Sequence, residues 1–352
     1  MSVSAAIYDT AGPELTADEK AFFREVNPFG YILFARHCPD PETVKRLVGE
    51  LKSLSGRDRL PILIDQEGGR VARLKPPHWA KYPPAGVFAA MARQNREKAH
   101  RAVHINARLI AHDLYSLGIT VDCAPLADLP VRGAHDIIGD RAFGTEAEQV
   151  VYLCRAMAAG LMDGGIVPIL KHIPGHGRAT ADSHDEAPVV SESLEMLRAT
   201  DFVPFRALAN LPMAMTAHVI YTAIDDKRMA TLSPDAIGLI RNELNFKGLL
   251  MSDALDMKSL HPLPLEERAR LALAAGCDIA LHCNSTFAEK QQVAKGVCAL
   301  EGESLARAER AMNSVKAPKH FDPAEARQTL ELLLSDTEDA YKTGYIHAGL
   351  NH

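Results

Sequence analysis

Residues 171–184, KHIPGHGRATADSH, place three histidines, a lysine and an aspartate close together. A proline and two glycines interrupt regular structure, which predicts a loop. Asp182 stands two residues before His184, so its carboxylate can accept a hydrogen bond from the imidazole and raise the imidazole pKa. Such a histidine gives and takes a proton near neutral pH. The loop is therefore a candidate for acid–base catalysis.

A zinc site is the competing interpretation of this loop, since His172, His176 and His184 make a three-histidine set. Their spacing matches neither the His-Glu-x-x-His helix motif nor a Cys/His ribbon, and Lys171 would add a positive charge beside the cation. A third interpretation gives the histidines only hydrogen bonds within the loop, which explains poorly why one short loop holds three. We expect no metal and no other cofactor.

Two further groups of polar residues suggest a ligand. Asp65, Arg73, Arg141 and Lys171 would together supply one acceptor and three cationic donors, which suits a polyhydroxyl ligand with amide or carboxylate groups. Asp253, in GLLMSDALDM, could be a nucleophile, an acceptor for sugar hydroxyls, or the ion-pair partner of an arginine. The sequence alone leaves these three roles open.

The elements that must position these residues are eight short apolar runs, separated by longer amphipathic segments. Nearly continuous apolar character over 4 to 8 residues is typical of parallel strands covered on both faces. The runs are VSAAIY from Val3, YILF from Tyr31, LPILID from Leu60, TVDCAP from Thr120, IVPILKH from Ile166, PMAMTAH from Pro212, GLLMSD from Gly248 and CDIALHC from Cys277. Eight strands alternating with helices predict an α/β fold, a (β/α)₈ barrel, with a doubly wound open sheet as the alternative.

Polar groups lie at or just after the ends of six of these runs, where the active sites of barrels lie. They are Asp65, Asp128, Lys171 with His172, His218, Asp253 and His282. Burying an unpaired charge at a strand end costs several kcal/mol, so these residues have partners or a function.

Helical segments carry recognisable ends. Thr16 and Glu19 form a capping-box pattern, and Ser233 followed by Pro234 opens a second helix. Further helical patterns span about 97–117, 145–163, 192–210 and 264–275, and two terminal helices span about 302–343. In the last of these, Leu330, Leu332, Leu333 and Leu334 form an apolar cluster that must cover another surface of the protein.

The stretch from Gln66 to about Arg96 is rich in glycine and proline and predicts a long functional loop. We expect one domain over 1–352, with the barrel over about 1–300.

Composition excludes several classes of protein. The 352 residues include 39 basic and 45 acidic side chains, a net charge of −6. That balance argues against nucleic acid as a partner. No apolar stretch approaches the roughly 20 residues of a membrane span, and no secretory signal is visible, so we expect a cytoplasmic protein. Six scattered cysteines predict reduced thiols. The acidic balance and the lack of an obvious exposed apolar stripe favour a monomer over a dimer.

Five motifs in this order resemble glycoside hydrolase family 3, and most closely its single-domain bacterial β-N-acetylhexosaminidases. They are DQEGGRVARL at 65–74, IGDRAFG at 138–144, KHIPGHGRATADSH at 171–184, MTAHVIY at 215–221 and MSDALDM at 251–257. The resemblance implies a barrel fold and a retaining mechanism through a covalent glycosyl-enzyme. Many plant and secreted relatives carry a second, sandwich-type domain that this chain lacks, which favours the hexosaminidase branch.

The resemblance also implies roles for particular residues. Asp253 matches the nucleophile, and His184, held by Asp182, matches an unusual general acid/base. Asp65, Arg73, Arg141, Lys171 and His172 match the residues that hold N-acetylglucosamine. His218 and Met257 match pocket positions whose role is less defined. A histidine departs from the usual pair of carboxylates, but it titrates near 6.5 without the large pKa shift that a carboxylate needs.

The implied substrate is a muropeptide fragment in which N-acetylglucosamine is β-1,4 linked to 1,6-anhydro-N-acetylmuramic acid. This chain departs from the family pattern at Ala254, where a second aspartate is common, and at Ile173, where phenylalanine is frequent. Two alternatives stay open: a phosphorylase, because a neutral histidine does not repel a phosphate acceptor, and a catalytically silent sugar-binding barrel.

Overall fold

The structure is a computed structural model that describes residues 2–131, 133, 137–179 and 187–342, with side chains up to residue 335. This part of the chain contains ten strands. In chain order they are β1 (Ser4–Tyr8), β2 (Pro28–Leu33), β3 (Ile62–Ile64), β4 (Val121–Asp122), β5 (Val167–Ile173), β6 (Val189–Val190), β7 (Met213–Thr216), β8 (Ile220–Tyr221), β9 (Leu249–Met251) and β10 (Ala280–His282).

Eight of the strands form one parallel sheet in the order β10-β1-β2-β3-β4-β5-β7-β9, and β6 pairs only with β8. The sheet closes on itself, because a parallel bridge joins Met251 of β9 to Ile279 just before β10. Each of the eight apolar runs in the sequence overlaps one of these strands. The predicted (β/α)₈ barrel is therefore confirmed, and closure excludes the open sheet.

Alternation along the strands separates two apolar cores. One set of side chains packs inside the barrel and includes Ile7, Leu63 and Ile169. Their neighbours, such as Ala6 and Ile64, pack outward against the helices. Both faces of each strand are thus buried, which is why the strands appear in the sequence as unbroken apolar runs.

Twelve helices surround the barrel in the described ranges. They are α1 (Ala17–Val26), α2 (Pro41–Ser55), α3 (Ala85–Gln94), α4 (Arg96–Ser116), α5 (Ala147–Asp163), α6 (Leu194–Ala199), α7 (Phe202–Ala207), α8 (Pro234–Asn242), α9 (Leu265–Ala275), α10 (Phe287–Lys295), α11 (Gly302–Met312) and α12 (Pro323–Lys342). The capping box at Thr16 and Glu19 and the serine cap at Ser233 are both present.

Two predictions about these segments were wrong in part. The pattern over 192–210 forms α6 and α7 rather than one helix, since Pro204 in a continuous helix would clash with the carbonyl four residues earlier. The segment 66–96 is not all loop, because α3 occupies its last third. The prolines before α3 hid an alanine-rich apolar helix that begins directly after Pro84.

The terminal helices are present, and α12 packs against α3 and α4. Leu330 and Leu334 are buried there, one turn apart on the same face. Leu332 points the other way and is 75% exposed, so the leucine cluster does not act as a unit.

Helix α11 is tied to the amino-terminal end of β10 by a buried carboxylate. Asp278 accepts from Arg241 at 2.7 Å, from Arg307 at 2.8 Å and from the Ser304 hydroxyl at 2.6 Å. Active sites of barrels lie at the opposite end of the strands. This two-arginine cluster therefore has a role in stability.

All six cysteines are free thiols, five of them buried. Within the described ranges, every helix is too short or too polar to cross a bilayer.

Ile64→Asp is expected to unfold the protein. The side chain lies on β3 with no exposed surface, so the substitution buries a charge without a partner. The expected loss is about 4–5 kcal/mol or more, measured by chemical denaturation. Val189→Asp is the control, because Val189 on β6 is 47% exposed, and it should change stability by less than about 0.5 kcal/mol. Normal folding of Ile64→Asp would contradict the placement of β3.

Candidate active site

A cavity of about 220 Å³ opens where the barrel strands end. It brings together all of the predicted site residues that the structure describes. Asp65, Arg73, Arg141, Lys171, His172 and Asp253 line it, together with His176, Met257 and an apolar rim that includes Phe34. Asp182 and His184 lie outside the described residues, so the predicted acid–base pair remains a prediction.

The turn after β3 positions the first group of these residues. Gly68 and Gly69 adopt positive φ angles of 103° and 56°, and a Cβ on Gly68 would lie 2.3 Å from the carbonyl oxygen of Pro83. Only glycine fits this close approach. The turn is closed by the Gly68–Val71 bridge and sends Arg73 back toward Asp65.

The charged side chains form a continuous chain of ion pairs. Nη2 of Arg73 lies 3.0 Å from Oδ2 of Asp65, and Nζ of Lys171 lies 3.0 Å from the other oxygen of Asp65. Lys171 also lies 2.6 Å from Glu67, and Glu67 accepts two hydrogen bonds from Arg141 at 2.8 and 2.9 Å. Lys171 is buried, with 2% of its side chain exposed. We call these five residues the ion-pair chain.

The protonation states of the ion-pair chain are fixed at neutral pH. Burial alone would raise the pKa of Glu67, but the charges of Arg141 and Lys171 outweigh burial and hold that pKa at about 2. The same competition, with Lys171 and Arg73 as the cations, lowers the pKa of Asp65. Burial would lower the pKa of Lys171, but the two carboxylates raise it.

Glu67 was missed in the sequence, although it lies in the DQEGGR motif two residues after Asp65. The charge balance of the predicted site could have indicated it. The predicted set contained three cations and one carboxylate, and buried charges need partners of opposite sign. A second carboxylate on the same turn was the available counter-ion.

Lys171 and His172 both reach the cavity although they are adjacent on β5. Neighbouring strand residues normally point to opposite faces, but the pairing of β5 with β7 shifts register between Leu170 and Ile173. This irregularity turns both side chains toward the mouth of the barrel.

Asp128, fully buried after β4, holds His172 in place. Its carboxylate lies 2.7 Å from Nδ1 of His172 and also accepts from the backbone N–H of His172 at 3.2 Å and of His176 at 2.6 Å. Burial would raise the pKa of Asp128, but the adjacent His172 lowers it. An ionised Asp128 can only accept, so Nδ1 of His172 carries the hydrogen.

His176 lines the same cavity, and burial together with the neighbouring His172 lowers its pKa to about 4. It is therefore neutral at pH 7. Within the described residues, no three His, Cys, Asp or Glu side chains are grouped as metal ligands. The zinc interpretation also needs His184, which lies outside the described ranges.

Asp253 follows β9 and its carboxylate is oriented locally. The N–H of Ala254 donates to Oδ1 of Asp253 at 2.8 Å. His218 contacts the carbonyl oxygen of Ala254 through Nε2 at 3.1 Å and Thr231 through Nδ1 at 2.7 Å. His218 thus holds the backbone beside Asp253 in place. Met257 lines the cavity.

His282 does not line the cavity. It is the last residue of β10 and is fully buried, and this burial lowers its pKa to about 4.

Asp122 on β4 supports the turn from beneath. Its Oδ1 accepts from the backbone N–H of Gln66 at 3.0 Å, while Oδ2 is buried without a hydrogen-bond partner among the described residues. Burial raises the pKa of Asp122 to about 7. The pKa of this carboxyl, beside the ion-pair chain, therefore lies near neutral pH.

Charged groups gathered at the carboxyl ends of the strands are the arrangement of a barrel enzyme. Residues 13–316 match the family described as "Glycosyl hydrolase family 3 N terminal domain". The chain is 40% identical over 277 residues to a beta-hexosaminidase of Alkalilimnicola ehrlichii, covering 78% of each protein. The chain belongs to glycoside hydrolase family 3, and it is a glycoside hydrolase.

Solved structures agree with this assignment. The chain is 29% identical to NagZ from Neisseria gonorrhoeae, solved in complex with N-trifluoroacetyl-D-glucosamine, with a TM-score of 0.83 and coverage of 96% of this chain and 97% of that one. It is 27% identical to a family 3 β-N-acetylglucosaminidase from Paenibacillus, with a TM-score of 0.80 and coverage of 94% and 66%.

Asp122→Asn is expected to stabilise the protein above pH 7. The folded pKa of about 7 exceeds the unfolded value of about 3.9. Folding therefore retains a proton between about pH 4 and 7, and the wild type loses stability as pH rises through that window. Asparagine keeps the bond to Gln66 and does not titrate. At pH 8 the free energy of unfolding of the variant should exceed that of the wild type by about 1–3 kcal/mol. This difference should shrink toward zero at pH 4.5.

Chemical denaturation at the two pH values measures this difference. Asp58→Asn is the control, since Asp58 is exposed, and its difference from wild type should not change with pH. An Asp122→Asn variant that is less stable at pH 8, or equally shifted at both pH values, would contradict the assignment.

Proposed function

We propose that the enzyme is a retaining exo-β-N-acetylglucosaminidase in which Asp253 is the nucleophile and His184, held by Asp182, is the general acid/base. One observation carries the proposal: a single small cavity gathers Asp253 and the five predicted sugar-binding residues, from the ends of four different strands, β3, β4, β5 and β9. The named activities of the relatives support the choice of sugar.

The size of the cavity supports exo cleavage. Sites for drug-sized ligands occupy about 300–1,000 Å³, so about 220 Å³ suits one sugar ring. Below the cavity the barrel is filled by packed apolar side chains such as Met215 and Leu281. A site closed at one end accepts a terminal residue and leaves the rest of the substrate outside.

The cavity offers both donors and acceptors to a sugar. Asp65 accepts hydrogen bonds from sugar hydroxyls, and His172 lines the cavity with it. Lys171 has a third N–H beyond the two directed at carboxylates. Nε of Arg73 is buried without a hydrogen-bond partner among the described residues, so it is a donor that a ligand can satisfy.

The proposed chemistry has two steps. Asp253 attacks the anomeric carbon while His184 protonates the leaving oxygen, which forms a glycosyl ester. His184 then removes a proton from water, whose oxygen attacks the same carbon, breaks the ester bond to Asp253 and restores the original configuration. The Ala254 N–H fixes the rotamer of Asp253, so the carboxylate is oriented before the substrate arrives.

For the natural substrate we propose the peptidoglycan fragment that the family resemblance implies, N-acetylglucosamine β-1,4 linked to 1,6-anhydro-N-acetylmuramic acid, with or without peptide. The proposal takes residues 1–352 as one catalytic domain, monomeric and cytoplasmic. It needs neither a metal nor another cofactor.

Release of 4-nitrophenol from its β-N-acetylglucosaminide and its β-glucoside at pH 7, with and without phosphate, tests this function. We expect cleavage of the first substrate only, independent of phosphate. Asp253→Ala and His184→Ala should each lower kcat by about a thousand-fold or more, with little change in Tm. Asp58→Ala, an exposed control, should retain activity. Azide added to Asp253→Ala should restore release and give the α-glycosyl azide.

Other outcomes lead to different conclusions. A rate that requires phosphate would make the enzyme a phosphorylase. Unchanged activity in Asp253→Ala would remove the nucleophile assignment. Binding of N-acetylglucosamine without any cleavage would leave a silent sugar-binding barrel. A Tm drop of about ten degrees in both variants would assign Asp253 and His184 to structural ion pairs.

A further inference from the structure

We propose that Glu67 is a positioning residue that fixes the sugar-binding donors of Lys171 and Arg141 without contacting the sugar itself. The inference rests on the proposed function of the same cavity. It concerns a residue that takes no part in the binding and chemistry described above.

The location of Glu67 supports an indirect role. Lys171 and Arg141 line the active-site cavity, but Glu67 does not. Glu67 lies behind them, beside a separate gap of about 10 Å³ lined also by Ala85 and Met157. A bound ring would meet the two cations, with the carboxylate shielded from it.

Glu67 determines the plane of the Arg141 guanidinium. Its two oxygens accept from Nε and Nη2 of Arg141 at 2.9 and 2.8 Å, and Nη1 donates to the carbonyl of Ile137 at 3.1 Å. A bidentate pair of this kind fixes orientation as well as distance. The remaining N–H groups of the Arg141 guanidinium are therefore held in fixed directions.

Glu67 also determines the direction of the Lys171 ammonium. Two of the three N–H donors of Lys171 are directed at Asp65 and Glu67. The tetrahedral nitrogen then has one direction left for its third donor. Asp65 alone would leave the ammonium free to rotate about that single contact.

Removing the charge of Glu67 would leave three cations with one carboxylate in the ion-pair chain. Lys171 and Arg141 would then repel each other without a shared counter-ion, and each would turn toward another acceptor. Displacement of binding groups by about 1 Å can cost about a hundred-fold in rate. The effect should therefore appear in substrate binding and turnover as well as in stability.

Glu67→Gln and Glu67→Asp test the inference, with Asp278→Asn as the matched control. Asp278 is also a buried carboxylate shared by two cations, but it lies at the opposite end of the barrel. We expect both Glu67 variants to lower kcat/KM on 4-nitrophenyl β-N-acetylglucosaminide by about 10- to 100-fold, corrected for the folded fraction. Glu67→Asp keeps the charge but withdraws it by one methylene, so charge alone should not restore activity.

Asp278→Asn should lower Tm at least as much as Glu67→Gln while its folded fraction keeps the wild-type kcat/KM. The inhibition constant of N-acetylglucosamine should rise in the Glu67 variants and not in the control. A Glu67→Gln variant with wild-type kcat/KM and inhibition constant, whatever its Tm, would overturn the inference. So would an equal loss of kcat/KM in Asp278→Asn.

A double-substitution cycle tests whether Glu67 acts through Arg141. Arg141→Ala removes the group that Glu67 orients, so adding Glu67→Gln to it should cost much less than Glu67→Gln costs alone. Losses that multiply fully would overturn the role of Glu67 in positioning Arg141, because the two residues would then act independently. A wild type that neither cleaves the glycoside nor binds N-acetylglucosamine would instead overturn the proposed function, and this inference with it.

Discussion

The active-site end of the barrel depends on one buried ammonium group. Lys171 has almost no exposed surface, and an unpaired cation there would cost several kcal/mol. Asp65 and Glu67 make its burial possible, because both carboxylates lie within 3.0 Å of it. These contacts join β3 to β5, two strands that are not neighbours, so the position of the ammonium requires the curvature of a closed barrel. The site and the fold are thus linked through a single charge.

The same requirement explains the local structure around the motif that begins at Asp65. Two carboxylates can converge on one lysine only if the chain turns sharply after β3, and the positive φ angles of Gly68 and Gly69 allow that turn. Asp122 holds the turn from below through the N–H of Gln66. Burial, with a smaller contribution from the ionised Asp65 and Glu67, raises its pKa to about 7.

The sequence predicted the features that depend on local pattern. All eight barrel strands were visible because both of their faces are buried, and the cap at Thr16 was visible because capping uses adjacent residues. Features that depend on contacts distant in sequence were not visible. Glu67 and the hold of Asp128 on His172 exist only after folding, across 74 residues to Arg141 and 44 to His172. The exposure of Leu332 likewise depended on which face of α12 meets its neighbours.

The ion-pair chain also fits the charge of the proposed ligand. N-acetylglucosamine is neutral, so it cannot serve as the counter-ion of a buried charge, and each charged group must have its partner before the ligand arrives. Three cations and two carboxylates leave one positive charge in the ion-pair chain, and the carboxylate of Asp253 faces the same cavity. A sugar entering this site exchanges hydrogen bonds with water for hydrogen bonds with groups already held in place. Little reorganisation is then needed, and this is the condition under which oriented charges favour a transition state over the bound substrate.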